Sequence, residues 1–372
     1  MNTKRVTLVF LALLGALLLS SCAGGAAGRG SSWPGLAADT QTAYVADGAQ
    51  IFAVRLSDGA ELWKYPAKAD AKISFYATPI ILEDGRLVVG SAGTDRCLYV
   101  IDTAKVDATT KSPAATCIFN ASKDHWIAAP LVVGNVVYAP NNDGYLYALD
   151  LSDNQMIWSL QIGGGGHLWA APVSDGTKLY ISSLDHSIYA VDIASHKVAW
   201  KTDLGGSVTG SPALSSDGKT LFAGSFASKV FALDSSSGKV LWETTTKGWA
   251  WGSPTVSDQT VYVGDLDGQL YALDAATGKI AWSAQPDGPI TGSPLLSGDL
   301  VIVTTESGSV FAYSKETRAQ QASWPASVKG KIYTPAVQAG DLILVAPLSS
   351  GAEYFLTALN PDGKVVWNFK PQ

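Results

Sequence analysis

Methionine, cysteine and histidine are nearly absent: two, three and four residues in a chain of 372. His125, His167, His186 and His196 share no metal-ligand spacing, and no CxxC pair or Cys/His cluster exists, so no metal centre is expected. No Ser/His/Asp set can be given nucleophile, base and orienting roles, so no catalytic residue is nominated. Charged residues make up only 16% and the net charge is −6, with no basic run interleaved with aromatics, which argues against nucleic acid as a partner. Beyond the first twenty residues no segment carries a helical stripe. Disorder is equally out of place in a chain that is 47% hydrophobic.

What is abundant is glycine (37) and tryptophan (12), a mixture suited to short strands and tight turns. The N-terminus follows a different grammar. Lys4 and Arg5 precede an apolar run from Val6 to Leu19, too short for a comfortable membrane span and shaped like an export signal. Small residues then lead into Cys22, and Ala23 to Ser32 can bury nothing. The expected organisation is a signal peptide over 1–21, a flexible tether over 22–32 and one domain over 33–372. Cys97 and Cys117 fall on neighbouring strand signals with the same parity. A disulfide between them is expected if the chain is exported, and two buried free thiols are the alternative.

An internal period governs the rest. Aligned prolines mark eight copies: Pro34, Pro79, Pro130, Pro172, Pro212, Pro254, Pro294 and Pro335. Seven copies end near a tryptophan: Trp63, Trp158, Trp200, Trp242, Trp282, Trp324 and Trp367. The second copy has Cys117 and Phe119 in that region, after an insertion around Thr103 to Ala115. The sixth copy divides into four strand signals, over 253–257, 260–264, 269–274 and 279–284, separated by Ser-Asp, Asp-Gly and Thr-Gly turns. Four short antiparallel strands per forty-residue repeat describe a propeller blade, whose faces are buried only by stacking against other blades. The fold expected is therefore all-β, an eight-bladed propeller of four-stranded blades. The recurrent tryptophans would dock each blade on the next.

The spacing Ala272-Leu273-Asp274 through Gly278-Lys279 to Trp282 resembles the tryptophan-docking motif of pyrroloquinoline-quinone-like (PQQ-like) propellers. Asp150 to Trp158, Asp192 to Trp200 and Asp234 to Trp242 repeat it, whereas the first, seventh and eighth copies depart from it. Two branches share this repeat. Quinoprotein dehydrogenases would imply PQQ with calcium above the central channel. BamB-type lipoproteins would imply cleavage before Cys22, lipidation there, and a scaffold role in outer-membrane protein assembly. Bare blades, a lipobox-like Leu19-Ser20-Ser21-Cys22 and the absence of adjoining cysteines match the second layout better. The resemblance thus implies a non-catalytic, exported, membrane-anchored monomer that binds proteins of the cell envelope and needs no cofactor. A reduced dehydrogenase using PQQ, and a lipoprotein binding a small ligand or wall polymer, are the alternatives.

In this topology the loops before each first strand and those joining second to third strands share one face. They supply the candidate binding residues Tyr76, His125, Trp126, His167, Trp169, Asp185, His186, Trp249, Trp251, Asp265, Asp267, Glu306 and Tyr333. Trp169 and Trp251 stand three residues before their prolines and are expected at the channel mouth. The competing expectation is that these side chains plug the axis or pack between blades. Asp265-Leu266-Asp267-Gly268 is expected to be an ordinary turn, since the downstream glutamate of a calcium loop is missing.

Overall fold

The computed structural model describes residues 33–257, 259–348 and 353–371; the leader, Cys22 and the tether lie outside the described residues. Every regular element described is a strand, and the strands form eight four-stranded antiparallel sheets. The blades occupy 35–65, 80–119, 131–161, 173–203, 213–245, 255–284, 295–327 and 337–369, each built from four strands consecutive in sequence (A to D). In the sixth blade these are Thr255–Ser257, Thr260–Gly264, Leu270–Asp274 and Ile280–Ala284. Each aligned proline falls one residue, or two at Pro335, before its strand A, where a missing N–H costs the sheet no ladder bond.

A strands of neighbouring blades approach one another, which places them around the axis, while D strands are the most exposed. The core is not central. It is divided into eight apolar clusters, each shared by two adjacent blades, and one of them joins the last blade to the first. In that closing cluster Phe52 of blade 1 packs on Phe355 and Phe369 of blade 8, with centroids 6.0 and 5.8 Å away. Among the described residues no strand is exchanged, and the ring closes by side-chain packing.

All seven repeat tryptophans lie in these clusters. Their geometry explains the sequence motif. Trp242 of blade 5 donates its indole N–H to the Ala275 carbonyl of blade 6 (2.9 Å), and Thr244 donates to the Gly278 carbonyl (2.6 Å). Gly278 has φ of 71°, and a Cβ there would stand 2.5 Å from the indole ring. Trp200 repeats this arrangement on Ser235 and Gly238, and Trp367 donates to the Leu56 carbonyl at the closing junction. The motif aspartate tightens the same turn: Asp274 accepts from the Thr277 amide and hydroxyl. Where glycine is missing the dock changes. His196, at φ 58°, stacks its ring on Trp158 at 5.0 Å. Blade 3 faces the one blade without a docking tryptophan, and Asn154 takes the left-handed position there.

A bulge in the pairing of strands C and D recurs in six blades, just before the position of the motif aspartate, which Arg55 and Asn360 fill in the first and last blades. In blade 5 Ala232 faces Trp242 and Leu233 faces Val240, leaving Leu241 unpaired. The extra residue resets the alternation so that the indole turns inward while Val240 and Leu241 both face solvent. In blade 2 Cys97 and Cys117 are joined by a disulfide.

Gly278 and Gly218 provide a matched pair, with φ of 71° and 70°, but nothing lies within 4 Å of a Cβ at Gly218. Gly218→Ala should cost only the backbone penalty of about 1–2 kcal/mol. Gly278→Ala should cost about 1–3 kcal/mol more, through the displaced indole. Thermal melts of the two variants check this; equal losses would remove tryptophan docking as the reason for the glycine.

Candidate functional site

The loops leading into strand A have a two-residue logic. Four residues before the aligned proline stand Phe75, Trp126, Leu168, Val208, Ala250 and Ile290, all nearly inaccessible and all within inter-blade clusters. One residue later the side chain points the other way. Tyr76, Ile127, Trp169, Thr209 and Trp251, from five consecutive blades, line one axial cavity of about 150 Å³ together with Trp33. Trp33 meets Trp251 edge-on at 6.0 Å and stacks on Tyr333 at 6.3 Å. In the last blade the frame slips by one: Ile332 is buried, and Tyr333 takes the mouth position.

Beside the cavity Trp249 stacks on Phe226 (4.8 Å, interplanar angle 13°), and Phe226 also meets Trp251 at 5.2 Å. Trp169 donates its indole N–H to Asn142 Oδ1 at 2.7 Å, and His167 Nδ1 lies 2.6 Å from the Asn142 carbonyl oxygen. These bonds fix ring orientations before anything binds. Burial, with some help from the Asp47 charge, pushes the Tyr76 hydroxyl up and keeps it a neutral donor. Burial also raises Glu306 above its ordinary 4.5, against the nearby Lys331 and Tyr333. The cavity lining itself offers two hydroxyls, three indoles and one isoleucine, with no carboxylate, imidazole or amine. Such a surface can hold an apolar or aromatic group and orient it; it supplies no group to move a proton at neutral pH.

Several nominated residues are elsewhere. Trp126 is not on the face. It is 1% exposed, fills the junction of blades 2 and 3, where no docking tryptophan is available, and donates to the Arg96 carbonyl. Asp265 is wholly buried, accepting from the Gly248 amide, the Gln269 amide and the Tyr271 hydroxyl. Asp185 is largely enclosed as well, bound by Tyr189 (2.5 Å) and Lys201 (3.2 Å). These carboxylates belong to a structural device, since Tyr147 reaches Asp143 and Tyr99 reaches Asp95 in the same way. His186, Asp267 and His167 are exposed on this face, and His125 and Glu306 are half-buried there.

Two signals in the sequence separate Trp126 and Asp185 from the face. Trp126 sits in an otherwise apolar repeat column. The aspartate four residues before a third-strand tyrosine (Asp95/Tyr99, Asp143/Tyr147, Asp185/Tyr189) disappears where phenylalanine replaces the tyrosine (Ala227/Phe231, Ser307/Phe311); in the sixth blade that spacing falls on exposed Asp267, and Tyr271 bonds Asp265 instead. Trp33, Ile127 and Thr209 also line the cavity and carry no unusual chemistry in the sequence; only the repeat position that Ile127 and Thr209 share with Trp169 and Trp251 marks them.

The Asp185 carboxyl is held below its ordinary 3.8: burial acts against this and is outweighed by bonds from Tyr189, Ser183 and Lys201. A carboxylate depressed in the fold adds stability above its unfolded value and loses it as the pH falls through its folded value. The melting temperature should therefore drop as the pH is taken below 3.8. Asp185→Asn should lower stability at neutral pH and flatten that acid drop; an identical acid profile in the variant would rule Asp185 out as a contributor.

The family model described as outer membrane protein assembly factor BamB matches residues 20–244, 184–315 and 229–370, overlapping as a repeat does when it fits in several frames. Among solved structures, BamB from Moraxella catarrhalis is 21% identical, with a TM-score of 0.63 over 80% of this chain and 88% of that one. The computationally designed Ika8 protein is 13% identical, with a TM-score of 0.71 over 89% of this chain and 96% of that one. At such identities these likenesses speak for the fold alone. No curated protein matches the sequence.

Proposed function

The chain belongs to the PQQ-like propeller family described as outer membrane protein assembly factor BamB, and from that premise we propose that it is a non-catalytic, lipid-anchored scaffold on the extracytoplasmic side of a membrane, binding envelope proteins through its axial mouth. In an organism with an outer membrane the role would be assembly of outer-membrane proteins. The observation that carries this reading is the convergence of one repeat position from five blades, with Trp33 and Tyr333, on a preset aromatic surface. Aromatic side chains held by packing and hydrogen bonds lose little entropy on contact and are favoured anchors for a partner. The ring holds its loops in fixed relation, so a partner can engage several at once.

A quinone cofactor suits this mouth poorly. PQQ is a tricarboxylate, and its calcium demands several oxygen ligands. The cavity lining carries neither cations nor carboxylates, and among the described residues no group of three His, Cys, Asp or Glu side chains could hold a metal. The cavity does have room for a single ring, which favours, as a second reading, a small aromatic or sugar ligand.

The anchor and the choice between these readings are tested separately. Cys22→Ser should shift the protein from the membrane to the soluble fraction; retention on the membrane would discard the anchor. Photo-crosslinkers placed at Tyr76 and Asp267 should capture a specific envelope protein in native membranes. Trp169→Ala with Trp251→Ala should weaken that capture by about tenfold or more. Unchanged capture would move the interface off the mouth, and saturable binding of a small ring compound without protein capture would favour the second reading.

A further inference from the structure

Five of the six residues around the axial cavity come from one repeat position, and the sixth, Trp33, does not. It precedes the first strand of blade 1, yet it lies between Trp251 of the loop into blade 6 and Tyr333 of the loop into blade 8. It has therefore reached past blade 8 into the sector of blade 7. There the repeat position holds Thr291, a small side chain that is almost buried and donates to the Tyr333 carbonyl at 3.1 Å. The Trp33 indole fills the gap that this small residue leaves.

The other rings of the mouth are fixed. Trp169 is bonded to Asn142, and Trp251 is backed by Phe226, which Trp249 covers in turn. Trp33 has ring contacts alone: among the described residues no hydrogen bond holds its indole, and it is only half-buried. On its C-terminal side the chain is locked, since Pro34 and Gly35 are buried and a Cβ at Gly35 would stand 2.3 Å from the Ala77 carbonyl oxygen. On its N-terminal side, Ala23 to Ser32 hold no apolar side chain larger than alanine. The indole can thus leave its seat without disturbing a blade.

We infer that Trp33 is a resident occupant of the mouth, and that a partner enters by displacing it with the same chemistry, an aromatic side chain on an extended segment. This rests on the mouth being the binding face. The chain's own residue shows what the slot accepts: a flat ring with Trp251 edge-on to it and Tyr333 stacked on it, carried on backbone outside any strand. No carboxylate or amine lines the cavity to reward a charged ligand. Once Trp33 moves, its place and the adjoining cavity of about 150 Å³ become continuous. Being part of the same chain, Trp33 competes at a fixed effective concentration, and the partner's affinity is lowered by the fraction of molecules in which the slot is filled.

N-acetyl-tryptophanamide serves as the probe, titrated calorimetrically into the full-length protein and into Trp33→Ala. The variant should bind it about tenfold more tightly. In protein labelled with fluorotryptophan, the fluorine resonance that Trp33→Phe removes should move toward that of the free amino acid as the probe saturates. Equal or weaker binding by Trp33→Ala, or a Trp33 resonance that stays in place, makes Trp33 a permanent wall and overturns displacement. Absence of binding to both proteins overturns the ligand class. Capture from Tyr76 and Asp267 reads the scaffold role apart from this: a probe that displaces Trp33 without any envelope protein being captured leaves the displacement standing and discards the scaffold. Capture that Trp33→Ala weakens does the reverse.

Discussion

A blade has two apolar faces and cannot cover either by itself, so everything in this molecule depends on how one blade is seated on the next. The seat is an indole laid on a turn: the ring lies on the Cα of Gly278, its N–H bonds the carbonyl after the motif aspartate, and a threonine two residues on bonds the glycine carbonyl. Burial of the surrounding apolar cluster provides most of the favourable free energy, while the hydrogen bonds fix the angle. Because Trp367 makes the same contact with Leu56 and Gly59 of blade 1, the last blade is seated on the first as any blade is on the next, with no strand shared among the described residues. Closure is one more instance of the repeat.

The same alternation produces the mouth. As the chain passes from an outer strand to the next inner one, one side chain enters the inter-blade core and the following one reaches the axis. Five blades in succession thus deliver a residue to one cavity, and Trp33 completes its wall. Below the surface, Tyr–Asp pairs tie the second turns to the third strands, which keeps the surrounding loops in place. A face held this way can discriminate partners by shape without rearranging, the role a scaffold requires.

Much of this was legible before any coordinates. Eight prolines marked all eight blades, and the strand signals of the sixth copy fell within two residues of the strands observed. The mouth was legible in part: Trp169 and Trp251 do meet at one cavity. Asp185, Asp265 and Trp126 are expected on the face because, taken one at a time, polar and aromatic loop residues look functional, whereas in the fold they are enclosed. Tyr189 and Tyr271 stand only four and six residues beyond their aspartates, and it is the fold that turns each hydroxyl back onto the carboxylate; the Arg96 carbonyl is thirty residues from Trp126.

The sequence by itself determined the period, the blade count, the strand order and the identity of the docking tryptophans, because these depend on local spacing repeated along the chain. Tertiary structure decided which way each loop residue faces, since a bulge such as that beside Leu241, or the slip that exchanges Ile332 for Tyr333, changes side without changing composition. It also decided that Trp33 belongs to the axis. A residue just ahead of the first strand has no repeat partner to reveal its place, and finds it only when blades from both halves of the chain surround it.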